Sequence, residues 1–589
     1  MPPSAPPLPE PTSATPRPPD PTTLTRPWTS VYPPGVPPEY HLPNVALPRF
    51  LDDAVRDFPY RSSLISDGDA LDHVGFRDRV GDLAEVLRDA GVGHGDRVLL
   101  GLPNVASLPV ALLAIWRVAA VAVPVTPETA EADVQRIVDD AEPVLALGTR
   151  RFVRHLPSEP DLPRTVIVID DDGWLFPGRR RRLRLRFGRR GGRQGPIAVV
   201  RGDASDDPDA HPARSRATPE ADDLAMLTYQ LPATGGTAGT NDTSPGTGSG
   251  PPTRAVASTH ASLVAAAFQA RLWVPDIQAG TERILVAERL TDPTVLVLGL
   301  VMGWLAGASV ICAEDPDPSE LARLIARERP TLLVVGADRV EGLAGAGDAA
   351  RQDLTSLRVV LATGEDLPEH VVTDLQRRTG SGRLRSCFGL DAAPLTHAQP
   401  VYGRSVAGAM GLPVTSTVAA VVDPERLEVL CAPDAPGRLV IHGPQVAQGY
   451  WRRDDASAER FVDGWLITDE LATMDDDGLF RHLGTIGEVV PRRSTWVSPR
   501  RIEAVLLRHP AVRRAGVVTG EHPDQLFAAV AVGRRGRPTE EELLVHCRAH
   551  LDSPAVPDRV TLLDELPETD AGDLARDELR ELLAESEPS

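Results

Sequence analysis

Several stretches of this chain carry residue types that can do chemistry. The first is Thr234-Gly235-Gly236-Thr237-Ala238-Gly239, which follows an apolar, strand-like run at residues 224–229. Glycine lets successive backbone N–H groups turn toward one point, and threonine adds O–H donors. Such a loop suits an anion such as phosphate. The second stretch is Cys387-Phe388-Gly389-Leu390-Asp391-Ala392-Ala393-Pro394. Phe388 offers a flat face for a ring ligand. Asp391 either ligates a metal or caps a turn, and the sequence leaves both open. The third is residues 463–490, DGWLITDELATMDDDGLFRHLGTIGEVV. Here Asp469 and Glu470 are neighbours, and adjacent carboxylates repel one another and disfavour an anionic ligand.

The elements that must hold these stretches alternate in type. Residues 76–90 have apolar positions at helical spacing. Residues 91–96 read as a turn, 97–102 as a buried strand, 105–120 as a helix and 121–125 as a strand. This alternation predicts parallel sheet with crossover helices. Near residue 488 the pattern restarts on a smaller scale. Helices are expected at 499–509 and 539–550, and strands at 515–519 and 526–532. The expected fold class is therefore α/β. A large N-terminal domain of parallel and mixed sheets with crossover helices spans 26–486, and a small α+β C-terminal domain, which matches the lid of the family named below, spans 487–589. Residues 1–25, dominated by Pro, Thr and Ser, are expected to form a disordered tail.

With 589 residues the chain is too long for one core. A formal net charge of -21 argues against nucleic-acid binding by the body of the protein. Residues 178–193, GRRRRLRLRFGRRGGR, run against that balance. They form either a solvated loop paired with Asp206, Asp207 and Asp209, or a peripheral patch for lipid headgroups, CoA phosphates or RNA. Residues 241–252 read as a flexible insertion. Residues 294–311 are uncharged and reach the lower limit of length for a membrane span. Asp292 and Glu314 at the ends, without a basic flank, predict a helix packed inside the large domain and no transmembrane segment. Cys312, Cys387, Cys431 and Cys547 lack metal-ligand spacing and read as free thiols of a reducing cytosol. The opening residues lack the blocks of a signal peptide, so a cytoplasmic location is expected.

The third stretch resembles the junction of adenylate-forming enzymes, the AMP-dependent acyl-CoA synthetase superfamily. That family's pattern reads DGW-x-x-TGD-L-x-x-x-D-x-DG-x-x-x-x-x-R-x-KD. Asp463, Gly464, Trp465, Thr468, Leu471, Asp475, Asp477 and Gly478 keep its frame. Residues 95–104, 256–260 and 437–451 follow further family motifs, as do Pro499, Ile502, Glu503, His509 and Pro510. Residues 26–37 resemble the short extended arm that opens bacterial long-chain fatty-acid CoA ligases. The likeness runs over residues 26–585. It implies the adenylate-forming fold and a two-step reaction. A carboxylate attacks the α-phosphate of ATP, giving acyl-AMP and pyrophosphate, and a thiol then displaces AMP. The implied small molecules are ATP, AMP, Mg2+, CoA and a carboxylic acid, of which a fatty acid fits the resemblance.

Carried onto this sequence, the resemblance puts Thr234, Gly235, Gly236, Thr237 and Gly239 in the phosphate loop and Arg254 at the position of the loop lysine. Phe388 and Gly389 keep an aromatic motif whose ring stacks on adenine. Aligned without a gap, Asp391 replaces a threonine and Ala392 the metal-binding glutamate; with one residue deleted, Asp391 stands for that glutamate. Glu470 replaces the ribose-binding aspartate, Asp469 a glycine, and Thr485 an arginine that closes over ribose and phosphate. Asp573 takes the place of the late catalytic lysine and reverses its sign, with Arg576 three residues on as another cation. Gly487 stands at the hinge, and Ser494 replaces a glycine of the pantetheine tunnel. A preserved frame with altered charges implies an acyl-CoA synthetase homologue with impaired or lost catalysis. The alternative is a non-catalytic acyl- or nucleotide-binding or scaffold pseudoenzyme.

Overall fold

Leu145–Gly148, Leu332–Gly336 and Val359–Thr363 are buried along their whole length. Strands without a polar face belong in parallel sheets covered on both sides. The computed structural model places them so. It describes residues 17–585, apart from 67, 157–164, 170–174, 176–196, 202–217, 231–253, 314, 345–350, 365–366, 368, 381, 404, 487–488, 493–494, 521, 523, 533–536, 552 and 568–573. The basic run 178–193 and the insertion 241–252 lie outside the described residues.

Among the described residues, one sheet has nine strands in the order Leu412–Pro413, Ala393–Ala398, Arg383–Leu390, Val359–Thr363, Leu332–Gly336, Arg283–Val286, Ser309–Cys312, Ser62–Ser66, Asp69–Asp72. A second has eight, running from Gly449–Tyr450 through Ala255–Thr259, Leu224–Tyr229, Val121–Pro124, Arg97–Gly101 and Leu145–Gly148 to Thr165–Ile169 and Ile197–Arg201. Both mix parallel central pairs with antiparallel edges. One continuous core joins them, with Trp116, Trp304 and Phe76 at less than 2 % exposure.

The expected helices and strands of the first 125 residues appear at His73–Asp89, Arg97–Gly101, Ser107–Arg117 and Val121–Pro124. A third sheet, antiparallel and five-stranded, was not separately legible in the sequence. It pairs Val418–Val422, Gly437–His442, Trp465–Met474 and Phe461–Val462 in order, with Phe480–Thr485 added on Trp465–Met474. In the C-terminal part, Val512–Thr519, Leu526–Val532 and Arg559–Leu563 form a three-stranded sheet. Leu526, Ala528 and Val530 face one core while Phe527, Ala529 and Ala531 face another, as a period of two requires.

The apolar run 294–311 departs from a single helix. It forms a short α turn at Pro293–Val295, a π turn at Leu296–Val301 and a further turn at Met302–Leu305 before the chain enters the strand Ser309–Cys312. Gly299 lies against Val286 and Gly303 against Val310, so the glycines let the helix sit close to the sheet. No helix among the described residues is long and apolar enough to cross a membrane.

The opening arm also differs from an extended segment. Pro27–Val31 is a 3-10 helix that buries Trp28 to 1 % exposure. Trp28 packs edge-on against Phe480, with ring centroids 6.1 Å apart. Gly478, at φ +78°, approaches the Trp28 backbone where a Cβ would not fit. Tyr32 donates its hydroxyl to the Pro413 carbonyl. Leu24, inside the stretch expected to lack order, packs against the third sheet. Replacing Trp28 with alanine is expected to destabilise the large domain by ~3 kcal/mol, read as a lower urea midpoint by tryptophan fluorescence and circular dichroism.

Candidate functional site

Leu224–Tyr229 and Ala255–Thr259 form an antiparallel hairpin in which Tyr229 pairs with Ala255. Gln230 N–H donates to Arg254 O at 3.3 Å and closes its open end. This stem carries residues 231–253, so Thr234, Gly235, Gly236, Thr237 and Gly239 lie outside the described residues. Their points of departure and return are fixed by Gln230 and Arg254. The Arg254 guanidinium stands 5.7 Å from the centre of the Tyr450 ring. Gly449–Tyr450 is itself paired to Val256 and Ala257.

Asp391 occupies the turn between Arg383–Leu390 and Ala393–Ala398. Gly389, just before it, lets this strand touch Thr294 Oγ1 and Pro394 O, where a Cβ would clash. Thr294 opens the helix that Asp292 caps, with Asp292 Oδ1 accepting from Thr294 N at 2.7 Å and Val295 N at 3.2 Å. Two carboxylates thus stand near enough to feel each other's charge. Burial pushes Asp391 up to about 7, and the charge of Asp292 pushes the same way, while a hydrogen bond from the Gln230 amide opposes both. Asp292 is raised as well, by burial of its carboxylate against its own capping bonds, although the residue keeps exposed surface. Their mutual repulsion is what a divalent ion would relieve. Two carboxylates with water and phosphate oxygens are an ordinary magnesium donor set. Among the described residues no group of three or more His, Cys, Asp or Glu is arranged for a metal.

Glu470 and Thr485 face each other across the strands Trp465–Met474 and Phe480–Thr485. Glu470 is 3 % exposed. Its Oε2 accepts from His482 Nε2 at 2.6 Å and from Thr485 Oγ1 at 3.3 Å. The His482 ring lies against Phe388 at 5.3 Å. Phe388 touches His397 edge-on at 6.3 Å, and His397 reaches Phe480 at 4.6 Å. Burial pushes His397 down to about 3, so its imidazole is neutral. Gln230, Leu390, Asp391, Arg460, Thr468 and Glu470 line one small cavity. The structure therefore brings Phe388, Gly389, Asp391, Glu470 and Thr485 together at the end of the stem that Arg254 anchors.

The expected repulsion between Asp469 and Glu470 does not arise. Their side chains alternate across the strand, and each has its own partners. Asp469 takes a two-pronged ion pair from Arg460, with Nη1 at 2.7 Å and Nη2 at 2.5 Å, and a third contact from Arg438 Nη1 at 3.3 Å. A bidentate guanidinium neutralises a carboxylate more fully than a single contact. Positive charge therefore stands beside the cleft after all, already committed to Asp469. Arg576 is no substitute for a catalytic lysine either. Its Nη1 and Nη2 grip Glu503 at 2.7 and 3.0 Å, and Nη1 also reaches Val517 O. Asp573 and Ser494 lie outside the described residues.

Residues 487–488, where the hinge is expected, are also outside them, but their flanks are held. Ile486 N donates to Asp469 O at 2.6 Å, and Val489 N to Thr485 O at 3.2 Å. Gly484, at φ +128°, leaves no room for a Cβ against Val489. Sequence reasoning missed Gln230, Asp292, Arg460 and His482 as parts of this site. Asp292 had a signal, because Asp before Pro is a helix-start pattern. His482 and Arg460 had none, since strand register brings in the first and the end of the helix Asp454–Arg460 the second. One further signal lies in the composition: all 62 basic residues are arginine, and the chain contains no lysine.

The family model described as "AMP-binding enzyme" matches residues 51–451, and its companion "AMP-binding enzyme C-terminal domain" matches 501–573. The long-chain-fatty-acid–CoA ligase of Bacillus subtilis is 27% identical over 584 residues, covering 94% of this chain and 98% of the relative. A 3-hydroxybenzoate–CoA ligase of Aromatoleum sp. (strain CIB) is 26% identical over 510 residues, covering 84% and 88%. Among solved structures, the anthranilate CoA ligase AuaEII in complex with anthranoyl-AMP superposes with a TM-score of 0.70 at 19% identity, covering 93% of this chain and 99% of that one.

Asp391 supplies a test of its burial. A carboxyl raised in the folded state binds its proton more tightly there than in the unfolded chain. Stability therefore falls as pH rises from the ordinary aspartate range to about 7 and stays low above it. Asp391→Asn is expected to stabilise the protein by about 2 kcal/mol at pH 8 and by little at pH 4. Urea unfolding at the two pH values measures this.

Proposed function

This chain belongs to the AMP-binding enzyme family, and from that premise we propose that it is an acyl-CoA synthetase homologue in which adenylation is impaired. The reaction type is ATP-dependent activation of a carboxylic acid. A fatty acid is the proposed acid class, because the relative from Bacillus subtilis bears that name and aligns over nearly the whole chain. The proposed location is the cytoplasm.

The chemical step makes a bond from a carboxylate oxygen to the α-phosphorus of ATP and breaks the bond to pyrophosphate. Negative charge gathers on the phosphoryl oxygens, and preorganised donors lower its energy. In this reading Thr234, Gly235, Gly236, Thr237 and Gly239 cradle phosphate, and Arg254 supports the loop from the stem. Phe388 offers the adenine a face, and Glu470 accepts from ribose hydroxyls. Asp391, with Asp292 beside it, would hold Mg2+, which supplies charge neutralisation when bound. CoA is the proposed acceptor thiol.

One observation carries the proposed impairment: a chain without a single lysine has an aspartate, Asp573, at the position of the family's catalytic lysine. Losing one such donor typically costs on the order of 3 kcal/mol, and an anion in its place costs more. Thr485 removes a second cation, and Arg460, Arg438 and Arg576 are tied to Asp469 and Glu503. The second reading is a non-catalytic acyl- or nucleotide-binding scaffold. It is favoured by the way His482 and Thr485 already satisfy one oxygen of Glu470.

Purified protein is expected to show little ATP–pyrophosphate exchange across a panel of fatty and aryl acids; vigorous exchange with any acid would refute the impairment. Asp573→Lys alone is not expected to restore exchange, because Thr485 remains; recovery by that change would locate the whole defect there. A thermal shift with AMP and ATP separates an empty pocket from a binding one, since a ligand bound only by the native state raises the melting temperature.

A further inference from the structure

We infer that His482 is a positioning residue that holds Glu470 with one carboxylate oxygen anchored and the other turned to the cleft, where a pair of neighbouring hydroxyls, as on a ribose, would donate to it. The inference rests on the nucleotide reading above and deepens it. Glu470 Oε2 is taken by His482 Nε2 at 2.6 Å and Thr485 Oγ1 at 3.3 Å. Oε1 has no partner among the described residues. It is not among the fully enclosed polar atoms that lack one either, and Glu470 lines the cavity shared with Gln230 and Asp391. The carboxylate therefore presents a single oxygen where an unanchored one would present two.

The backbone builds this arrangement. A strand alternates its faces, so in a regular ladder Thr485 and residue 483 would flank the Glu470 face. The pairing shifts between Leu471 and Ala472, and Ala472 meets His482 while Leu483 is passed over. A one-residue bulge moves a side chain to the opposite face. Here it moves His482 onto the side of Glu470. Phe388, 5.3 Å away on the neighbouring sheet, then keeps the imidazole from swinging out. A glutamate arm left to itself samples several rotamers, and fixing it before a ligand arrives removes that entropic cost from binding.

The test is isothermal titration of the full chain with AMP and with 2′,3′-dideoxyadenosine 5′-monophosphate. The wild type is expected to prefer AMP. His482→Leu is expected to lose about tenfold in AMP affinity, roughly the worth of one charged hydrogen bond, and nothing for the dideoxy nucleotide. His482→Gln keeps an N–H at similar reach and is expected to recover most of the loss. Equal weakening of both ligands by His482→Leu would make the residue merely structural and overturn the inference, as would failure of His482→Gln to recover AMP binding. If the wild type binds the two nucleotides equally, Glu470 does not meet the ribose and the inference falls while the nucleotide reading stands. If it binds neither, both fall. Should the leucine variant not fold, His482→Asn, whose amide is too short to reach Oε2, carries the same comparison, with selective loss of AMP affinity supporting the inference and equal loss overturning it.

Discussion

Antiparallel pairing of Trp465–Met474 with Phe480–Thr485 decides which side chains meet at the cleft. Glu470 and Thr485 are opposed because of it, and the bulge at Leu471 brings His482 alongside them. The same strand pair carries Phe480, which packs on Trp28 at one end and on His397 at the other. From there the wall continues through Phe388 to the turn that holds Asp391. One register thus links the opening arm, the third sheet and the edge of the nine-stranded sheet. A slip by one residue would exchange Glu470 for its neighbours on the opposite face.

Charge at the cleft is arranged by pairing more than by sign. Asp469 would oppose an incoming phosphate, but Arg460 and Arg438 more than offset its charge and leave the cluster one positive charge in excess. Glu470 is met by donors and not by a second anion. The carboxylates that do confront each other are Asp391 and Asp292, and there the cost appears as a raised proton affinity. The pair therefore favours a cation or a proton beside it. The chain has arginine in every basic position, and a guanidinium tends to be immobilised in forks with carboxylates. That tendency is seen at Arg460, Arg438 and Arg576, each of which ends on an acid.

Much of the fold could be read from the sequence because its signals are local. The strands Leu224–Tyr229 and Leu526–Val532 fall at their expected bounds, and the helix Glu540–His550 begins after Thr539, whose hydroxyl and Glu542 form a capping box. The run 294–311 was misread because apolar character does not distinguish a packed helix from the strand that follows it. Only the turn at Gly307, with φ +60°, separates them. The five-stranded sheet was missed because its strands pair antiparallel across connections of differing kind, one of which holds the helix Asp454–Arg460. At the site, Glu470, Thr485, Phe388 and Asp391 were found through a linear motif. His482 and Arg460 were not, since their roles arise from pairing across a bulge and from a helix end folded back on a strand.

The tethers on either side of residues 487–488 bear on motion. Ile486 is tied to the backbone of Asp469 and Val489 to that of Thr485, while Gly484 packs against Val489 without space to spare. A displacement of Ile486 or Val489 would be felt at the Asp469 carbonyl next to Glu470 and at the Thr485 carbonyl opposite it. The backbone around the Glu470 carboxylate is thus coupled to the chain that leads into and out of residues 487–488.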